Sequence, residues 1–254
     1  MWRQGISVVS RSIDVSGFKH LRNVAYNGTK YFVSNGTEIY RSNTPMIKAK
    51  QHETFKSLRF WNHNLYVLTA NEIHDNVMFT VRQYSIDGKF ISHEVVQDTK
   101  NPLSLIASPS DLLLLTQNHR EQSVYSLGSK SQRHDLSIPQ LKGLAPMGEQ
   151  WFAHTHTSLI QYHNDTQSLC NTSFINGSYK HLVSCFDLRR WYLILITEAN
   201  EMFILDDNRK LITKCKLLGT TVDVTVMDNE VTLLIQLSNR YFIRTFTILR
   251  NNIY

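Results

Sequence analysis

A unit of about 40 residues recurs six times along the 254-residue chain. Each copy consists of a short apolar strand, a polar turn, a strongly apolar strand, a second turn and a further strand. The first turns of the six copies fall near residues 27, 62, 109, 147, 188 and 228. Such regular spacing is typical of a repeat architecture, in which each copy forms one supersecondary unit.

The hydrophobic residues in each copy follow a period of two, not 3.6, which indicates β-strands. The apolar runs are rich in aromatic and β-branched residues and are bounded by Asn, Asp, Gly or Ser. About 40 residues is the length of a four-stranded blade, so we predict an all-β fold, a six-bladed β-propeller. The most apolar strands should hold equivalent places in successive blades; they contain Tyr31, Tyr66, Leu113, Phe152, Leu193 and Leu233.

The ends of the chain bear on how the propeller closes. We expect one domain over 1–254, with blades over roughly 21–55, 56–100, 101–139, 140–179, 180–219 and 220–254. The sixth copy has room for only three strands, whereas residues 5–15 have strand character but no blade. Because an unpaired strand edge invites aggregation, we predict that Ile6–Val15 pairs with Arg240–Ile248 and completes the sixth blade.

One copy carries a more specific resemblance. Leu65–Thr69 (LYVLT) followed by Val81–Phe90 (VRQYSIDGKF) resembles an NHL-type propeller repeat, although the acidic residue after the central strand is missing. The other copies match this pattern, and that of WD repeats, only in outline. The resemblance implies a propeller fold and, by analogy with NHL propellers, RNA binding.

Composition excludes several classes of protein. With 42% hydrophobic and 19% charged residues, the chain is not disordered. The net charge of +6 permits an acidic partner, but the basic residues are scattered rather than clustered. The three cysteines fit neither a disulfide framework nor a zinc knuckle, so we expect reduced thiols and a cytoplasmic protein. No signal peptide or membrane span is predicted, and five Asn-x-Ser/Thr sequons are interpreted as turns.

No catalytic motif occurs, and we predict no catalytic, cofactor-binding or metal-binding residue and no cofactor. His154 and His156, with His163 nearby, suggest a metal site, but no acidic residue or cysteine completes it, which favours structural histidines. Asp206–Asp207 is interpreted as a hairpin turn rather than a catalytic carboxylate pair. Glu72, His74 and Asp75 are assigned to a longer connection, for which we prefer a solvated loop over the alternative, a partner contact.

Two segments combine basic and aromatic residues, as single-stranded RNA sites do. They are Arg189–Tyr192, with Arg189 and Arg190, and Arg240–Arg244, with an arginine at each end. The competing interpretation, which we prefer for the first segment, places both arginines in a turn and Trp191 and Tyr192 in a buried strand.

These observations favour a non-enzymatic protein-interaction scaffold, a subunit of a larger multiprotein assembly. The first alternative is an RNA-binding NHL-like propeller, and the second is a propeller hydrolase or lectin with a site in its central channel. Exposed apolar patches would favour docking, a basic face RNA, and converging carboxylates an enzyme.

Overall fold

The computed structural model describes residues 6–73, 76–96, 101–108, 111–118, 121–127, 133–136, 138, 140–163, 166–187 and 189–250. These residues form 24 β-strands and no helix. The strands build six four-stranded antiparallel sheets within the described part of the chain. The fold is the predicted all-β, six-bladed β-propeller. Each of the six apolar strands singled out in the sequence is the second strand of its blade.

Residues 17–141 form one compact unit of three blades. Blade 1 contains β2 (Asn23–Tyr26), β3 (Tyr31–Ser34), β4 (Glu38–Arg41) and β5 (Thr44–Lys48). Blade 2 contains β6 (Glu53–Trp61), β7 (Asn64–Ile73), β8 (Asn76–Tyr84) and β9 (Phe90–Val95). Blade 3 contains β10 (Asn101–Ala107), β11 (Leu112–Asn118), β12 (Glu121–Ser126) and β13 (Arg133–Leu136).

Residues 142–254, together with residues 1–16, form the other unit. Blade 4 contains β14 (Gly143–Met147), β15 (Gln150–His154), β16 (Leu159–His163) and β17 (Thr166–Leu169). Blade 5 contains β18 (Tyr179–Phe186), β19 (Trp191–Thr197), β20 (Glu201–Asp206) and β21 (Leu211–Lys216). Blade 6 contains β22 (Thr220–Met227), β23 (Glu230–Leu237), β24 (Arg240–Arg250) and, as its outer strand, β1 (Ile6–Asp14).

The pairing of β1 with β24 confirms the predicted closure. The two strands run antiparallel from Ile6 opposite Arg250 to Asp14 opposite Phe242. The Val15 amide continues the pairing by donating to the Tyr241 carbonyl at 2.9 Å. The first strand of the chain thus supplies the fourth strand of the last blade.

Hydrophobic cores lie between neighbouring blades inside each unit. Phe32, Leu58 and Val67 belong to the core that blades 1 and 2 share, and Leu68 and Leu114 to the one between blades 2 and 3. Two similar cores lie between blades 4 and 5 and between blades 5 and 6. Tyr66 differs from the other second-strand residues because it is only half-buried and packs against Trp61, with ring centroids 5.9 Å apart.

Asparagine and aspartate side chains shape several hairpin turns, as the sequence predicts. Asn27 Oδ1 accepts hydrogen bonds from the amides of Thr29 (3.0 Å) and Lys30 (2.6 Å). Asn35 Oδ1 accepts from the Thr37 and Glu38 amides in the same way. These contacts hold the chain in a tight reversal. The sequons at these two asparagines are therefore turns.

Candidate protein-docking surface

The outer half of blade 2 exposes an apolar patch. Among the described residues, thirteen large hydrophobic side chains are exposed, and six of them belong to this blade. These six, here called the blade-2 patch, are between 42% and 51% exposed. They are Ile73, Val77, Met78, Phe90, Ile91 and Val95. Single exposed hydrophobics are common on soluble proteins, whereas a group of them on one blade makes that blade a candidate interaction surface.

The patch exists because blade 2 is larger than blade 1. The strands of blade 1 contain 4, 4, 4 and 5 residues, whereas β6, β7 and β8 contain 9, 10 and 9. The inner part of blade 2 packs against blade 1, through Leu58 and Val67 among others. The short strands of blade 1 end before the β7–β8 hairpin does, so Ile73 and Met78, which face blade 1 at the hairpin, stay uncovered.

Strand register places most of the patch on one side of the sheet. Asn71 pairs with Met78 and Ile73 with Asn76, so Ile73 and Met78 face the same side. Thr80 pairs with Val95, which brings Val95 next to Met78 on that side. Phe90 lies at the other end of β9, where its ring meets that of Tyr84 edge-on, with ring centroids 5.9 Å apart.

A buried ion pair supports this side of the blade. Arg82 Nη1 donates to Glu53 Oε2 at 3.1 Å, and Nη2 donates to Oε1. The Glu53 side chain is only 3% exposed, and its Oε2 also accepts the Lys50 amide at 2.9 Å. Burial alone would raise the pKa of Glu53, but the hydrogen bonds from Arg82 and Lys50 outweigh it and hold that pKa below its usual range. The pair links β8 to the first residue of β6.

The two basic–aromatic segments do not form one surface. Arg189 and Arg190 are exposed in the β18–β19 turn, where Asp187 Oδ1 accepts both of their amides. Tyr192 is buried and donates its hydroxyl to Asp187 Oδ2 at 2.8 Å. The structure thus has the turn and the buried Tyr192 that the competing interpretation describes, whereas Trp191 is only half-buried and packs against Phe186, with ring centroids 5.0 Å apart. Tyr192 offers no face for stacking on a base.

Arg240 and Arg244 lie apart from that turn. The Phe186 amide donates to the Asp228 carbonyl, so the β18–β19 and β22–β23 turns are neighbours. Arg240 starts β24 at the opposite end of β23, about 25 Å away for an eight-residue strand. The Arg244 guanidinium lies 4.9 Å from the Phe246 ring centroid and donates to Ser10 Oγ at 3.3 Å. It therefore contributes to packing within blade 6.

His154 and His156 do not point at one metal ion. β15 ends at His154, so the strand periodicity that would align the two rings stops there. His154 is fully buried, whereas His156 is exposed. Among the described residues, no group of three His, Cys, Asp or Glu side chains is placed to hold a metal.

The exposed His156 belongs to a hydrogen-bonded trio with Lys142 and Ser178. Its Nδ1 is 3.1 Å from Lys142 Nζ, and its Nε2 is 2.8 Å from Ser178 Oγ. An ammonium group only donates, so Nδ1 accepts and Nε2–H donates to the serine. A histidine that donates to a serine hydroxyl does not accept its proton, so the trio is not arranged as a nucleophile and base.

The remaining predicted site residues belong to strands or turns of the fold, or lie outside the residues that the structure describes. Glu72 is in β7 rather than in a long connection, because β7 extends to Ile73 and β8 begins at Asn76. His74 and Asp75 lie outside the described residues. Asp206 Oδ1 accepts the amides of Asn208 and Lys210, which makes Asp206–Asp207 part of the predicted hairpin turn.

The three cysteines are free thiols. Burial raises the pKa of Cys170, Cys185 and Cys215 above the usual value for a thiol. A reactive cysteine needs a lowered pKa, so none of the three is primed as a nucleophile.

Sequence reasoning missed the blade-2 patch. Ile73, Val77 and Met78 stand in a polar stretch that has no strong strand signal. Only Phe90 and Ile91 were in a predicted strand, and nothing in the sequence shows that their neighbours leave them uncovered. A comparison of strand lengths between successive copies is the signal that points to such a patch.

Comparison with known proteins places the chain in the class of β-propellers. No protein-family model matches the sequence, and a search of curated proteins finds no relative. The structure is similar to a chain of the mitotic checkpoint complex, with a TM-score of 0.59, 11% identity, and 96% of this chain and 84% of that chain covered.

Two further solved structures share the fold. BBS1N, in complex with ARL6DN, is similar with a TM-score of 0.57 and 10% identity, over 87% of this chain and 76% of that chain. BamB from Moraxella catarrhalis has a TM-score of 0.50 and 8% identity, over 89% of this chain and 83% of that chain. At these identities the likeness shows the fold alone. In the described part of the chain, no helix is long and apolar enough to span a membrane.

Proposed function

We propose that this propeller is a non-enzymatic interaction module, a subunit of a multiprotein assembly that docks a protein partner on the blade-2 patch. The observation that carries the proposal is the concentration of six exposed large hydrophobic side chains on one blade. The buried Glu53–Arg82 pair beneath the patch gives a firm base for docking. The three free cysteines, two of them buried, support a cytoplasmic location as part of the proposal.

The fold agrees with this use of the surface. A propeller domain of the mitotic checkpoint complex and BBS1N bound to ARL6DN are both found in protein complexes. The RNA alternative has less support, because Arg189 and Arg190 lie at the opposite end of the strands from Arg240. The hydrolase or lectin alternative would need converging carboxylates, whereas of the two carboxylates buried among the described residues, Glu53 and Asp223, the first is paired with Arg82.

Affinity purification with a matched surface control tests the proposal. The test variant is Ile73→Lys/Met78→Lys, which places two charges in the patch. The control is Leu169→Lys/Leu218→Lys, which adds the same charges at residues that are 76% and 71% exposed in the other unit. The partners are cross-linked to the protein in cells, and the extract is treated with nuclease before purification. The test variant should then lose these partners, whereas the control should keep them. Equal recovery by both variants, or partners held only through RNA, would contradict the proposal.

A further inference from the structure

The outermost strand of blade 2, β9, has an open edge. Its sheet has the order β6-β7-β8-β9, so β9 pairs with β8 on one side and with no strand of the described chain on the other. All six of its residues, Phe90–Val95, are exposed. An edge of this kind presents unpaired backbone amides and carbonyls.

The register shows which backbone groups point outward. The Val96 amide donates to the Phe79 carbonyl at 3.0 Å, which makes these two residues a hydrogen-bonded pair. Antiparallel partners alternate between hydrogen-bonded and non-hydrogen-bonded pairs. With Thr80 opposite Val95 and Arg82 opposite His93, the backbone groups of His93 and Val95 therefore point away from β8. Those of Ser92 and Glu94 point toward β8.

Of the other outer strands, three carry proline or positive charge, and β13 and β17 are only four residues long, which are features with which proteins protect an edge. β5 contains Pro45 and Lys48, β21 contains Lys214 and Lys216, and β1 contains Arg11. β9 has neither proline nor a basic residue other than His93, and it bears Phe90, Ile91 and Val95. Ile91 is the extra residue of a bulge, because Gln83 pairs with Ser92 and Tyr84 with Phe90, and a bulge protects that end of the edge. Residues 92–95 pair regularly with β8, so the open edge of β9 is this part of the strand.

The apolar side chains of β9 suit an extended ligand. Phe90 and Val95 lie on the side of the sheet that faces blade 1, next to Tyr84 and Thr80. A strand added to β9 would place alternate side chains beside them, and cross-strand apolar pairs of this kind stabilise sheets. A second copy of the protein is a poorer occupant, because six residues are far fewer than the roughly 20 to 30 per partner of a stable interface.

We propose that the β9 edge accepts an extended segment of the partner protein as a fifth strand of blade 2. The segment has apolar side chains at alternate positions and bonds to the backbone of His93 and Val95. This inference rests on the proposed function and specifies how its partner binds. Main-chain hydrogen bonds supply affinity in this mode of recognition, and the apolar flank selects the side chains.

The test uses a phage-displayed library of random linear 12-residue peptides, selected on the full chain. Two variants read out the mechanism. His93→Pro removes an outward amide, which an edge strand tolerates, and His93→Ala keeps that amide. Selected peptides should show alternating apolar residues, bind His93→Ala within about two-fold of the wild type, and lose at least ten-fold in affinity for His93→Pro. Val95→Pro is the second variant if His93→Pro melts below the wild type.

The outcomes separate the two proposals. Peptides that bind the proline variants as well as the wild type, or a library that yields no binder, overturn strand addition. If partners captured from cells are lost by Ile73→Lys/Met78→Lys and kept by His93→Pro, docking stands and strand addition fails. A wild-type dimer in light scattering that His93→Pro dissociates would assign the edge to a second copy and overturn the proposed occupant.

Discussion

The imidazole of His154 lies over Gly143 on the paired strand, so closely that a Cβ on Gly143 would stand 2.6 Å from Nε2 and 2.9 Å from Cδ2. The φ angle of this glycine lies outside the left-handed region, so the ring, not the backbone, requires it. Blades 1 and 5 end their second strand with a small buried residue, namely Ser34 and Thr197. Blade 4 has a histidine at this position, with Tyr179 edge-on to it at 6.3 Å.

This contact predicts strong coupling between the two residues. Gly143→Ala should lower the free energy of unfolding by about 1 to 3 kcal/mol, because the added methyl group overpacks a buried ring. In a His154→Thr background the same change should have little effect. Urea denaturation of the four proteins in a double-mutant cycle measures the coupling, which should exceed about 1 kcal/mol. Additive effects would show that the ring moves aside freely.

His154 should also make stability depend on pH. Burial lowers the pKa of His154 from 6.5 to about 4, and among the described residues no hydrogen-bond partner meets its Nε2. The imidazole of His154 binds a proton more tightly in the unfolded chain than in the folded one. The contribution of the neutral imidazole to the free energy of unfolding is therefore complete above pH 6.5 and is lost as the pH falls toward 4. Relative to His154→Thr, the wild type should lose up to about 3 kcal/mol over this range. Parallel stability curves for the two proteins between pH 7.5 and about 4.5 would contradict the assignment.

The ion pair under the blade-2 patch should contribute to stability more than an exposed pair does. Glu53→Gln leaves the guanidinium of Arg82 without its counter-charge and should cost about 3 kcal/mol in chemical denaturation. The control is Asp87→Asn, which breaks the exposed pair with Arg41 on the same unit and should cost less than about 1 kcal/mol. Similar losses in both variants would mean that Glu53 and Arg82 are screened by solvent.

Removing the first strand should destabilise the sixth blade. Deletion of residues 1–16 uncovers the long edge of β24 and should lower the melting temperature by at least about 10 °C and promote aggregation. Arg11→Ala, which removes a largely exposed ion pair with Glu230, should change the melting temperature by less than about 2 °C. A truncated protein that melts like the full chain and stays monomeric would contradict the role of β1 in the blade.

Much of the fold can be predicted from the sequence because each blade is built from neighbouring strands. The regular turns and the strongly apolar second strands indicate the blade number, and the missing strand of the sixth copy indicates that Ile6–Val15 completes it. Asn27, Asn35 and Asp206 are interpreted correctly as turn residues, because their side chains act on amides two to four residues away. Such local chemistry is visible in the sequence.

The candidate site could not be predicted, because it depends on packing between blades. Residues 70–78 resemble a loop, yet the long β7–β8 hairpin forms through cross-strand pairing that outweighs weak local propensity. Whether Ile73 or Met78 is covered depends on the length of the strands in blade 1. Likewise, the buried place of His154 depends on the space above Gly143, which no spacing of histidines reveals.

Blade 6 combines β1 with β22, β23 and β24, and this has a consequence for folding during synthesis on the ribosome. Five of the sheets in the described chain are made of consecutive strands, and each is complete soon after its last residue leaves the ribosome. The contact between Ser10 and Arg244 joins residues 234 positions apart. At roughly 5 to 20 residues per second, β1 waits on the order of 10 to 50 s for its partner. During that interval β1 has no native partner strand, so its edges stay open to aggregation or to chaperones.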